Sequence, residues 1–172
     1  NIHPIVYDDG RYGLNPELSL WTDTGEIVDL CDAADRYRNT GNSEKEADTL
    51  QKIEELYKGD FLEEDRFEDW ILLFRQKFKD TYVSSLIKRA DIYFSKNCYE
   101  PCIETCKKLL LTDSCDEQTH GRLMICYSRT GHNHLAMRQY QCCVEALTRE
   151  LDITPNATTS ELYERIRNHA SV

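Results

Sequence analysis

Few residues in this chain can bend it sharply, with seven glycines and four prolines among 172. That scarcity weighs against a turn-rich sheet protein and favours helices. No apolar run approaches the roughly 18 residues that cross a bilayer. The chain opens without a secretory pattern, so a cytoplasmic protein with no membrane partner is expected. Positive charge is also short: 21 Lys and Arg stand against 31 Asp and Glu, a formal net charge of −10. This is the wrong sign for a domain whose main partner is a phosphate backbone, where Lys and Arg displace counterions. A Gly-rich phosphate loop and a CxxC pair are missing, and no spacing points to a Ser-His-Asp or Cys-His arrangement. No catalytic residue, cofactor or metal ligand is therefore expected, and the chain gives no support for an enzyme.

What remains is a length suited to one domain with a small appendage, and enough apolar residues (40%) for a real core. The acidity is local: from Glu44 to Asp69 there are eleven acidic and four basic residues, −7 of the total. A solvated helix face explains such a run without any special role; an acidic docking surface is the sharper alternative. Eight cysteines suggest a disulfide framework until their positions are read. Cys98, Cys102 and Cys106 recur every four residues on an expected helix, so they share one face. Reduced, buried thiols fit better than zinc ligands, which favour pairs held by a turn. His120, His132 and His134 are expected to be packed or solvated.

Residues 2–8 and 11–20 read as a β-hairpin around Asp9-Gly10, where glycine accepts the positive φ of a tight turn. The helical period then takes over. A first helix is expected from about Thr24 to Asn39, capped by Thr22 or Asp23 with Glu26 as the capping-box partner of Asp23, and ended by Gly41. A second starts at Ser43, and Gly59 closes it. Phe61 and Leu62 in the following loop are too apolar to be left in water. A long third helix spans roughly Asp65 to Lys96, with Phe67, Trp70, Ile71, Phe74, Phe78, Tyr82, Leu86, Ala90 and Tyr93 as its core stripe. On this reading Trp70→Ala costs about 3–5 kcal/mol, as for a buried aromatic.

An internal repeat follows. A shift of 34 residues places Tyr93 on Tyr127, Asn97 on Gly131, Cys102 on Ala136, Cys106 on Tyr140 and Leu110 on Val144. That is the tetratricopeptide period of helix, tight turn and second helix. Asn97 and Gly131 tolerate the left-handed conformation at a helix end, and Cys102 and Ala136 are small enough for paired helices to approach. After Pro155 a last amphipathic helix, capped by Thr158 or Thr159, runs through Leu162, Tyr163 and Ile166 to close the stack. The expected fold is all-α, with about seven helices in antiparallel pairs and a short N-terminal hairpin.

Tyr57-Lys58-Gly59-Asp60-Phe61-Leu62, then Trp70 and Arg75, then the run from Asp116 to Pro155 containing Tyr127, Gly131, Ala136 and Tyr140, resemble the bacterial transcriptional activator domain of antibiotic-pathway regulators. The resemblance covers about Ile27 to Ile166. Two departures are conservative in structural terms: Asp113-Ser114 where the family often has proline after the acidic residue, and Asn97 where it usually has glycine. The resemblance further implies that Gly10-Arg11-Tyr12-Gly13-Leu14-Asn15-Pro16 is the closing hairpin of a winged-helix DNA-binding domain. Residues 1–22 would then be that wing, with the recognition helix before Asn1, and residues 23–172 the tetratricopeptide-like module. Arg11, near the hairpin tip, becomes a candidate phosphate or minor-groove contact.

The function so implied is a regulatory interaction module of a bacterial transcription factor. Its candidate partners are other domains of the same regulator, a second copy, RNA polymerase, and a peptide or effector, with DNA reached only through the winged-helix domain. A free-standing tetratricopeptide adaptor is the competing reading.

Overall fold

The structure, a computed structural model, describes residues 4–16, 18–64 and 69–169. It consists of a hairpin followed by seven helices. Strands β1 (Ile5–Asp8) and β2 (Arg11–Leu14) pair antiparallel, Ile5 opposite Leu14 and Tyr7 opposite Tyr12. Asp9 and Gly10 connect them with φ of +43° and +77°, the two positive angles of the tight hairpin turn. The alternation expected to continue to Leu20 stops at Leu14.

The helices are α1 (Asp23–Asn39), α2 (Ser43–Leu56), α3 (Asp69–Ser95), α4 (Tyr99–Thr112), α5 (Glu117–Arg129), α6 (Asn133–Leu151) and α7 (Ala157–Arg167). Neighbours in sequence pack as antiparallel pairs α1–α2, α3–α4 and α5–α6, and α7 closes the stack against α5 and α6. The expected start of the third helix before Asp69, including Phe67, lies outside the described residues.

Three turns of one kind join these pairs. Gly41, Asn97 and Gly131 have φ of +70°, +57° and +81°. In each case the next residue's N–H reaches back to the carbonyl of a tyrosine four residues before the turn. These bonds are Asn42 to Tyr37 (2.9 Å), Cys98 to Tyr93 (2.9 Å) and His132 to Tyr127 (2.7 Å). This is the Schellman closure, which satisfies helix-end carbonyls that otherwise lack partners. The first pair is thus a third copy of the repeat, which the 34-residue shift does not reveal because an extra loop and a longer α3 separate it from the others.

The Thr22 alternative holds at α1, while the caps of α2 and α7 differ from expectation by a residue or two. Thr22 caps α1 by accepting from the Gly25 N–H at 3.0 Å, and Glu26 instead accepts from the Trp21 indole at 3.1 Å, so there is no Asp23–Glu26 capping box. Asn42, not Ser43, caps α2 (Lys45 N–H, 3.2 Å), and Asn156, not Thr158 or Thr159, caps α7 (Thr159 N–H, 2.8 Å). Several acceptable oxygens lie side by side at each of these starts. The one used is the residue whose backbone is still outside the helix when its side chain reaches the third N–H.

The core runs through the stack. Ile27, Ala34, Leu50, Ile53 and Phe78 close the first pair, and Leu86, Ala90, Cys102, Cys106, Leu109, Leu123 and Cys126 the centre. Met124, Ala136 and Ile166 close the far end. Cys102 and Ala136 are both fully buried at the close crossings, as their size suggested. One strong polar tie crosses this packing. Glu54 of α2 is held by Arg89 of α3 and Lys108 of α4, joining three helices through one carboxylate.

Candidate interaction site

The residues of the Tyr57–Arg75 motif build a corner. Tyr57 stacks on Tyr82 (centroids 4.5 Å, planes 14° apart), and its hydroxyl donates to Asp60 Oδ1 at 3.2 Å. Burial, and then the Asp60 carboxylate, push its phenol up to about 12. Phe61 packs against Phe74 (5.9 Å) and Phe78 (5.5 Å). Arg75 reaches back from α3 to donate through Nε to the Phe61 carbonyl at 2.7 Å and through Nη2 to that of Leu62. Arg75 therefore fastens the loop after α2 to α3, leaving a cleft of about 350 Å³ lined by Ile27, Tyr57, Gly59, Phe61 and Leu62.

Two expectations for this corner need correction. Leu62 is not withdrawn from water, being exposed with φ of +48°. Trp70 is 55% exposed and Phe74 is also exposed, so the stripe on α3 is core only from Ile71 and Phe78 onward. The helical period is the same at both ends, but among the described residues no helix covers the outward side of the first turns. Trp70→Ala is accordingly expected to cost far less than a buried aromatic would.

At the other end, Tyr140 stacks on Tyr163 (4.3 Å) with its hydroxyl 3.3 Å from Ser160 Oγ, seating α7 on α6. Pro155 lies between α6 and α7, after Asp152 turns left-handed at φ +56°. Tyr127, Gly131 and Ala136 belong to the turn and crossing already described. Arg11 is exposed on β2 beside the turn.

Two grooves separate the first helices of successive pairs. One of about 580 Å³ is lined by Cys31 and Ala34 of α1, Leu50 and Ile53 of α2, and Leu73 to Lys88 of α3. The other, about 410 Å³ and largely apolar, lies between Phe94, Gly121, Arg122, Ile125 and Leu162. Ion pairs Lys88–Asp35 (3.5 Å) and Arg122–Asp91 (2.5 Å) bridge these helices along the same side.

Several chemistry-bearing side chains are packed into the fold and others face water. His120 is buried, donating to the Ser114 carbonyl through Nε2 (3.0 Å) and accepting at Nδ1 from Gln139 (2.7 Å). His132 and His134 are exposed, their rings 6.2 Å apart. Cys102 Sγ lies 4.0 Å from Cys106 Sγ and donates to the Ala90 carbonyl at 3.6 Å. Contact with Cys102, then burial, push the Cys106 and Cys126 thiols up, and burial pushes Cys143 up to about 12. Cys98, expected to share their face, sits before α4 and is exposed. Among the described residues no three His, Cys, Asp or Glu side chains have metal-binding geometry, and no helix is long and apolar enough to cross a membrane.

Thiol counting with an aromatic disulfide reagent tests this arrangement. Exposed Cys98 and Cys142 should react at once, half-buried Cys31 and Cys115 more slowly, and Cys102, Cys106, Cys126 and Cys143 only on unfolding. Rapid reaction of all eight would contradict the packing.

Known proteins agree with this architecture. Mycobacterium tuberculosis EmbR, solved in complex with a low-affinity phosphopeptide, superposes with a TM-score of 0.69 at 18% identity, over 98% of this chain and 44% of that one. This chain thus spans less than half of the EmbR chain. The C-terminal TPR-containing domain of a Plasmodium falciparum FK506-binding protein superposes with a TM-score of 0.58 at 16% identity, over 87% of this chain and 93% of that one. At such identities the likeness is one of fold. No curated protein sequence matches the chain. The family model of the bacterial transcriptional activator domain matches residues 22–167, from the cap of α1 to the end of α7, and on that match the chain belongs to this family.

Proposed function

We propose that this chain is the regulatory, protein-interaction module of a bacterial DNA-binding regulator. In this reading residues 1–22 are the wing of a winged-helix domain whose recognition helix precedes Asn1 in the natural protein, and residues 23–172 are the module itself. The observation that carries the reading is the hairpin. Ile5, Tyr7, Tyr12 and Leu14 are cross-strand partners on one face, and all four are exposed. Two strands alone are marginal in water, so a wholly apolar, uncovered face fits a hairpin that belongs to another folded unit. The helical grooves supply surface for partners: neighbouring domains of the regulator, RNA polymerase, or a peptide such as the one bound in the EmbR complex.

Mobility-shift titration at two salt concentrations tests it. The 172-residue chain, at −10 and without a helix for the major groove, should bind duplex DNA poorly at physiological salt. The natural protein with its preceding domain should bind a specific promoter site, and Arg11→Ala there should lower the salt slope by about one if Arg11 holds a phosphate. Tight, sequence-specific binding by the 172 residues alone would overturn the reading.

A further inference from the structure

The groove between α3, α5 and α7 is held open by a residue that the helix itself does not call for. Phe94, Ile125 and Leu162 lie half-buried along it, and its volume of about 410 Å³ is that of a small-molecule pocket. Gly121 lines the same space. Glycine within a helix is less favourable than alanine, and it commonly answers a positive φ or a close approach of another chain segment. Neither applies here. Gly121 lies inside α5 and outside the left-handed region, and a Cβ on it would meet only Leu162 Cδ2, at an ordinary 3.7 Å. The effect of its missing side chain is to keep the groove open beside Leu162.

One sheltered charge borders this apolar space. The Arg122 side chain is 15% exposed, its guanidinium 5.6 Å from the centre of the Phe94 ring, and it pairs with Asp91, which is 56% exposed. Glu117, the other charged residue on the groove, is engaged by the Asn156 N–H at 2.9 Å. We propose that the groove binds a small amphipathic organic acid, its apolar body between Phe94, Ile125 and Leu162 and its carboxylate on Arg122. Charge complementarity selects the acid. A guanidinium carries a planar fork of N–H donors, and among the described residues Asp91 is the one carboxylate that Arg122 engages. An ion pair to so exposed a carboxylate is weak. A ligand carboxylate in the more sheltered groove can therefore share Arg122 or displace Asp91, making the stronger, charge-assisted contact. A cationic ligand would meet repulsion at the same place.

The proposal rests on the interaction-module reading and deepens it by naming the chemical class of an effector and where it sits. Its test uses this chain alone, so failure here leaves the DNA-binding test of that reading untouched. Phenylbutyrate is the probe, and phenylbutyramide its neutral isostere. Titration of the 172-residue chain, followed by amide NMR spectra, should shift signals of residues 118–125 and 156–162. At the efficiency usual for small ligands, the dissociation constant should be on the order of 0.1–1 mM. The amide should bind about three- to tenfold more weakly than the acid. Arg122→Met should remove that preference and leave the amide's affinity within about twofold. Asp91→Asn should tighten the acid about two- to fivefold, because the competing carboxylate is gone. Gly121→Leu, which fills the groove, should weaken both ligands at least tenfold with far-ultraviolet circular dichroism unchanged. Asp91 is exposed, so its variant decides the matter should either of the others fail to fold. Equal affinity for acid and amide would overturn the proposal, as would Asp91→Asn without effect on the acid. So would shifts centred elsewhere, for example beside Trp70, or no saturation up to about 10 mM.

Discussion

Replacing Glu54 by Ala is expected to lower the unfolding free energy by about 3–5 kcal/mol, because it strands a buried cation. The Arg89 side chain is 8% exposed and pairs with Glu54, itself only 16% exposed. Arg89 Nε has no hydrogen-bond partner among the described residues, so the guanidinium already lacks one of its bonds. Its remaining compensation is the Glu54 carboxylate and the Tyr93 ring, 5.6 Å away. Removing the carboxylate leaves a positive charge where water cannot reach it freely. For a protein of this length the melting temperature should fall by roughly 10 °C. Lys108 is the control: it shares the same carboxylate but is 45% exposed, so Lys108→Ala should cost less than about 1 kcal/mol. Arg89→Met with Glu54→Gln, which removes both charges, should recover much of the loss, as exchange of buried ion pairs for apolar residues commonly does. Urea denaturation of the four proteins decides the matter. Equal effects of Glu54→Ala and Lys108→Ala would mean that water solvates Arg89 after all.

The second large effect is expected at Leu86. It is completely buried in the central cluster with Ala90, Cys102, Cys106 and Leu123, so truncation to Ala opens a cavity between α3, α4 and α5. Leu→Ala in such sites costs about 2–5 kcal/mol, the upper part of the range applying where neighbours cannot collapse. Two of the three helices around it, α3 and α4, are pinned by the Glu54 tie and the left-handed turn at Asn97, so the cost should be in the upper half. Trp70→Ala, four turns earlier on the same helix, should cost about 1 kcal/mol or less, since more than half of the side chain is already in water. Denaturation midpoints of the two variants, measured with unchanged m-values, check both. A larger loss at Trp70 than at Leu86 would mean that the first turns of α3 are covered in the folded chain.

That contrast shows where sequence reading stops. Trp70, Phe74, Phe78, Tyr82, Leu86 and Ala90 share one helical stripe, and spacing assigns them the same face. Spacing carries no information on whether another element lies against that face. The burial of Arg89 against Glu54, and the reach of Lys108 to the same carboxylate, were hidden for the same reason: these partners lie 35 and 54 residues apart in the chain. The third repeat unit was within reach of the sequence: Tyr37 and Gly41 carry the same four-residue spacing as Tyr93 with Asn97 and Tyr127 with Gly131. What concealed it was the changed interval between units.

Local order is written in the spacing of this protein's residues. The sequence contains the helices, the hairpin turn at Asp9-Gly10, and the left-handed closures at Gly41, Asn97 and Gly131. It also contains the small residues Cys102 and Ala136 at the helix crossings, and the family motif. Each depends on backbone geometry and side-chain size over a few residues, which short spacing encodes directly. The tertiary structure alone decided which apolar faces are covered. It sank Leu86 and the three clustered thiols into the core, left Trp70, Leu73 and the hairpin face in water, and held Arg89 against Glu54. Burial depends on what packs against a surface from distant parts of the chain, and a periodic pattern is the same whether that cover is present or absent.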